Sequence, residues 1–167
     1  MKNGGTAVVD ANIWIDLHNG GILPHAFRLR LHFVTPDVIA QEALRNPSFS
    51  TLQQLGIEVV ELPSEQVADV LRLASSYPAP SRTDLFPLAL ARARRALLLT
   101  GDRHLREAAE EEHVRTHGVL WLVDRMAQAG VLSGPEAADA VRAMQKSGSR
   151  LPKGGCEAMI RKWSGPA

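Results

Sequence analysis

Two short stretches of the chain, Thr6 to Val9 and Ala96 to Thr100, are continuous apolar runs with no polar alternation. That pattern predicts strands covered on both faces, as in a parallel sheet. His32 to Thr35 and Ile57 to Leu62 are weaker strand candidates. Between them the period lengthens. Val67, Val70, Leu71 and Ala74 recur at i, i+3, i+4 and i+7 behind Ser64, which predicts a capped helix buried along that stripe. Leu85, Leu88 and Ala89 stripe a second helix that runs to about Arg95. Strands alternating with helices of this length imply βαβ units and a three-layer α/β domain.

Beyond His117 only the helical period remains. Val119, Leu120, Val123 and Met126 form one stripe, which Gly130 ends. Ser133 and Glu136 have capping-box spacing, with Pro135 in the first turn, for a helix that runs through Met144 and is broken at Gly148. Cys156, Met159, Ile160 and Trp163 keep helical spacing to the end. The expected organisation is one domain, with an α/β body over residues 1–130 and a helical C-terminal extension over 131–167. The last helix is expected to dock on the body, in a homodimer or on a partner.

Composition narrows the setting. A chain of 167 residues can bury roughly two-thirds of its unfolded surface in one core without disulfides or a structural metal. The single cysteine, Cys156, makes no internal disulfide and leaves no second thiolate for a metal site, which fits a reducing, cytoplasmic protein. No apolar segment is long enough for a signal peptide or a membrane span. The net charge of +1 does not announce a nucleic-acid binder, although most of the cations are arginines, which suit phosphate.

The carboxylates carry the chemistry. Asp10 ends the first buried run, and Asp102 follows the later one in Leu97-Leu98-Leu99-Thr100-Gly101-Asp102. Ligands of open parallel sheets bind at the carboxyl ends of strands, so the two acids share a rim if their strands are neighbours. Glu42 borders the buried side of a helix expected to start at a Thr35 cap, and Asp84 opens the helix after Ser81-Arg82-Thr83. Each acid also has a plain role. Asp10 and Asp102 suit helix N-caps, Asp84 suits a capping box with Ser81, and Glu42 suits a helix edge. If all four converge, an oxygen-only set suits a hard divalent cation, Mg²⁺ or Mn²⁺.

At these residues the sequence resembles the PIN-domain nucleases, in particular the VapC-like toxins of toxin–antitoxin pairs. The similar pieces are VVDANIWIDL, VIAQEALRN, SRTDLFPLALA and LLLTGDRHLREAA, in the family's order over about the first 110 residues. The resemblance implies a three-layer α/β/α fold with a parallel sheet of four or five strands. It also implies a metal-dependent endoribonuclease that hydrolyses RNA phosphodiesters. Asp10, Glu42, Asp84 and Asp102 would be its catalytic and metal-binding residues, and Asn12 and Thr100 the small polar neighbours that orient them. An antitoxin would be a partner. The alternative is a non-catalytic PIN-like module that binds RNA or protein. Pro87 falls where the Asp84 helix is expected to be regular, so that helix starts late or kinks.

Other signals are weaker. Arg82, Arg103 and Arg106 are candidates to clamp a phosphate, and His104 to protonate a leaving oxygen, each set against a plain surface role. His113 and His117 lack the further ligands of a zinc site. Trp14, Trp121 and Trp163 read as core or interface anchors rather than base-stacking platforms.

Overall fold

Five short strands form one sheet: β1 (Thr6–Val9), β2 (His32–Pro36), β3 (Glu58–Val60), β4 (Leu97–Leu99) and β5 (Thr116–His117). The computed structural model describes residues 4–42 and 45–165. All neighbouring strands are parallel, in the order β3-β2-β1-β4-β5. The chain therefore moves outward from β1 to β2 and β3, then returns to the other side of β1 with β4 and β5. That reversal makes the gap between β1 and β4 the switch point, where open α/β sheets bind ligands.

The helices are α1 (Ala11–Asn19), α2 (Leu23–Ala26), α3 (Asp37–Glu42), α4 (Phe49–Leu55) and α5 (Ser64–Ser76). They continue as α6 (Leu85–Arg94), α7 (Arg103–Glu111), α8 (Val119–Gln128), α9 (Gly134–Lys146) and α10 (Lys153–Ser164). Because strand side chains alternate, each strand feeds two cores. Ala7, Val9, Phe33, Leu97 and Leu99 face one core, built with α1, α2, α8, α9 and α10. Val8, Val34 and Leu98 face the other, built with α5, α6 and α7. This is the expected three-layer α/β fold, with the larger strand number.

Two local expectations need correcting. The buried residues of α5 are Val70 and Leu73, whereas Val67 and Leu71 are exposed, and the helix begins at Ser64 with Pro63 as its N-cap. Val70 and Leu73 pack into the core that α5 shares with α6, which leaves Val67 and Leu71 facing outward. Thr35 is not a cap either. It lies fully buried in β2, donates its hydroxyl to the Val9 carbonyl at 2.7 Å and accepts the Trp14 indole N–H at 3.1 Å. Asp37 takes the capping role, accepting from Val38 N–H at 2.8 Å.

The C-terminal signals are realised. Ser133 and Glu136 form a reciprocal capping box, and Gly148 turns the chain at φ 88°. α10 lies on α8 and α9 with Cys156 and Trp163 buried and Met159 and Ile160 partly so. Its docking is pinned at one carboxylate: Asp124 on α8 accepts from the Trp163 indole and the Lys162 ammonium, each at 2.9 Å. Among the described residues, no helix is long and apolar enough to cross a membrane.

Candidate active site

The sheet register builds the site. Val9 pairs with Leu99, so the residues that leave the sheet next, Asp10 and Thr100, emerge side by side at the switch point. Asp10 is only 6% exposed. It caps α1 by accepting from Ala11 N–H at 2.8 Å, and its other oxygen accepts from the Thr100 hydroxyl at 3.0 Å. That hydroxyl also accepts from the backbone N–H of Asp102 at 3.1 Å. Thr100 thus bridges the first acid to the backbone of the last. Asn12 closes the same turn, accepting from Gly101 N–H at 3.1 Å.

Asp102 caps α7, accepting from Leu105 N–H at 2.9 Å. Asp84 stands at the N-cap position of α6 and exchanges hydrogen bonds with Ser81, each at 3.1 Å. Pro87 lies in the first turn of α6, where its missing N–H costs nothing, so the helix starts late and does not kink. The capping roles open to Asp10, Asp84 and Asp102 are therefore all real. They coexist with a second property, because a cap fixes a carboxylate at a helix start without neutralising it.

That property is electrostatic. Burial pushes the Asp10 carboxyl up to about 6, against the lowering effect of its bonds to Ala11 and Thr100. The negative charges of Asp84 and Asp102 push it in the same direction as burial. Two aspartates from distant parts of the chain are thus brought close enough to Asp10 to raise its proton affinity. Glu42 is the last residue of α3, but its side chain lies outside the described part of the structure. Among the described residues, no three His, Cys, Asp or Glu side chains are drawn tightly enough to enclose an ion. The donor chemistry nevertheless fits a hard divalent cation, since these three acids offer only oxygen ligands and, among the described residues, no cation is paired to Asp10, Asp84 or Asp102.

An open cleft of roughly 520 Å³ runs from Asp102 past Asn12, Gly101, Arg103, His104 and Arg150 to Asp16. Arg103 is highly exposed and engaged with Glu107 at 2.9 Å, and His104 is also exposed, so the cleft's mouth is solvated. Asp16 and Arg150 were missed by the sequence reading. The signal for Asp16 was present: it falls between Ile13 and Leu17 on the buried stripe of α1, where an acid is out of place. It is 9% exposed, and its burial raises its proton affinity. Arg150 had no such signal, since a loop after Gly148 has no period to violate. A larger cleft, about 610 Å³, lies elsewhere, against Asp69, Arg92 and Glu112. Those three charges already pair with each other and with Arg72 and Tyr77 in a structural network.

No curated protein matches the chain. A family model described as a PIN domain matches residues 6–165, a span that takes in both the acidic rim and the three C-terminal helices. PIN domains are generally nucleases that act on nucleic acid with divalent metals. With a parallel five-stranded sheet, an acidic rim at its switch point and a match over nearly its whole length, the chain belongs to the PIN-domain family, whose fold is that of a nuclease.

Proposed function

We propose that this protein is a metal-dependent endoribonuclease whose catalytic and metal-binding residues are Asp10, Glu42, Asp84 and Asp102. The observation that carries the proposal is the forced proximity of three aspartates at the switch point, with Asp10 held at raised proton affinity by burial and by the other two charges. Such crowding is costly unless a cation shares it, so the cost itself supports a site built for one. Mg²⁺ or Mn²⁺ bound there would supply Lewis-acid activation of water and neutralise charge on a reacting phosphate.

The chain's own residues supply position. The Ala11 N–H and Thr100 hydroxyl hold both Asp10 oxygens in fixed directions, and Leu105 N–H does the same for one oxygen of Asp102. The solvated mouth around Arg103 and His104 leaves room for a flexible, charged polymer to enter beside them. RNA is the polymer favoured by the resemblance of the ordered motifs to VapC-like toxins. The narrower proposal, a toxin held by an antitoxin, rests on that resemblance too. Its test is growth arrest on expression, relieved by the product of a short adjacent gene.

The ribonuclease proposal is tested with purified protein and a mixed RNA pool. Cleavage is expected with Mn²⁺ or Mg²⁺, to stop with excess chelator, and to fall at least about a hundredfold in Asp102→Asn, a loss of roughly 2.7 kcal/mol or more in transition-state stabilisation. Undiminished cleavage in chelator, or in Asp102→Asn, defeats the metal mechanism.

A further inference from the structure

The acidic cleft does not end at Asp16. A second pocket of about 150 Å³ opens from it and shares Asp16, Gly101 and Arg150 as common walls. Its remaining lining has a different character. Val119 and Trp121 come from α8, Leu151 and Pro152 from the loop before α10, and Arg106 from α7. The result is an apolar slot with one buried carboxylate and two guanidinium groups at its polar edge. Trp121, expected to be a core or interface anchor, is half-buried and forms a wall of this slot. It is held flat against His117, with ring centroids 4.3 Å apart and planes 3° from parallel. Arg125 sits over its ring at 5.8 Å.

Asp16 is the unusual member. Among the described residues it has no ion-pair partner, and the Ser149 hydroxyl near it is itself buried without a hydrogen-bond partner. A buried carboxylate of this kind is an acceptor in search of donors. The proposed reaction at Asp10 and Asp102 has no use for it.

We propose that this slot is a nucleobase subsite for the nucleotide beside the scissile phosphate, and that it selects guanine. The inference rests on the ribonuclease reading for its placement, but its chemistry is independent of it. Apolar walls around a pocket of about 150 Å³ suit an unstacked base of single-stranded RNA, the form in which proteins read RNA sequence. Among the four bases, guanine alone presents two adjacent N–H donors, N1 and N2, which match a carboxylate. It also presents O6 and N7 as paired acceptors, which match a guanidinium. Cytosine and adenine offer the carboxylate only one amino group, and uracil offers it one ring N–H.

The test uses metal-free protein and mononucleotides, so that it does not depend on catalysis. The Trp121 indole N–H and the Gly101 and Gly118 amides are followed by NMR during titration with 5′-GMP, 5′-AMP, 5′-CMP and 5′-UMP, with Trp121→Phe identifying the indole signal. GMP is expected to shift these signals and to bind about tenfold more tightly than the other three, the worth of one good bidentate contact. Asp16→Asn should abolish that preference while weak binding of all four remains. Arg150→Gln, an exposed loop position safe for folding, should weaken GMP most. Equal affinities for the four nucleotides, preference for another base, or shifts that leave Trp121 unmoved overturn the subsite. The two readings fail separately. RNA cleavage without guanine bias, unchanged in Asp16→Asn, removes the subsite and leaves the nuclease. GMP selection by a protein that cuts no RNA keeps the subsite and removes the nuclease.

Discussion

Asp10 is where capping, burial and charge meet in one residue. Its carboxylate caps α1 and binds the Thr100 hydroxyl, yet its proton affinity is raised to about 6 because burial and two neighbouring acids outweigh those bonds. A carboxyl with a higher pKa folded than unfolded takes up protons on folding, so its stabilising effect is greatest at low pH and is lost as pH rises through about 6. The groups facing it are Asp84 and Asp102, both of which act in the same direction. Asp10→Asn keeps the cap acceptor and removes the buried charge. In chelator at pH 8 this variant is expected to be at least as stable as wild type, with a gain of up to about 3 kcal/mol. The advantage should shrink between pH 6 and 4 as wild-type Asp10 becomes protonated. Urea denaturation at several pH values measures it, and a variant clearly less stable at pH 8 would make Asp10 a cap and nothing more. The capping role of Asp10 was legible in its position after an apolar run. Its raised proton affinity was not, because that depends on residues far away in the chain.

α10 illustrates what one element contributes by docking. The stripe Cys156, Met159, Ile160, Trp163 announced an amphipathic helix that must be covered, and the cover is α8 and α9 of the same chain. The contact is close at Gly134, the first residue of α9: a Cβ there would stand 2.0 Å from the Trp163 carbonyl oxygen. Since the blocking atom is backbone, the helix itself has to move. Gly134→Ala is therefore expected to destabilise the protein by about 1–3 kcal/mol and to loosen the Trp163–Asp124 hydrogen bond. Thermal unfolding and the chemical shift of the Trp163 indole check both parts. An unchanged melting temperature and indole signal would mean that α10 is not seated there. The same helix bears on the guanine slot, because the Leu151–Pro152 wall lies in the loop that leads into it.

Strand order decides the whole molecule. Placing β1 between β2 and β4 brings Asp10 beside the turn that carries Asp102, and α6 lies across the same strands with Asp84 at its start. If that rim holds a cation, the fold should gain from it as a unit. Mn²⁺ at roughly 100 times its dissociation constant should add about 2.7 kcal/mol to wild-type stability, because only the folded chain presents the site. Asp102→Asn should lose most of the gain. Denaturation curves with and without Mn²⁺ measure it, and an equal metal effect on both proteins would place the ion elsewhere.

By itself the sequence announced the buried strands β1 and β4 and the longer helices, though not the short helices α2 and α4 or the start of α3. A short run that is apolar on both faces reads as a covered strand, a period of 3.6 reads as a half-covered helix, and an aspartate just beyond either has a capping role within reach. Those are local properties, set by neighbours a few residues away, and they were enough to put Asp10, Asp84 and Asp102 at element boundaries. Tertiary structure decided what the boundaries face. It chose Val70 and Leu73 over Val67 and Leu71 as the buried residues of α5, because those two sit in the core that α5 shares with α6. It buried Thr35 as a hydrogen-bonding residue of β2 instead of a helix cap, turned Asp16 inward and left Trp121 half-buried between the core and a pocket. Pairing of β1 with β4 joins residues about ninety positions apart, as in the Thr100–Asp10 hydrogen bond. Periodicity says that such strands must be covered but carries no information about which strand lies beside which, and the site exists only where that choice is made.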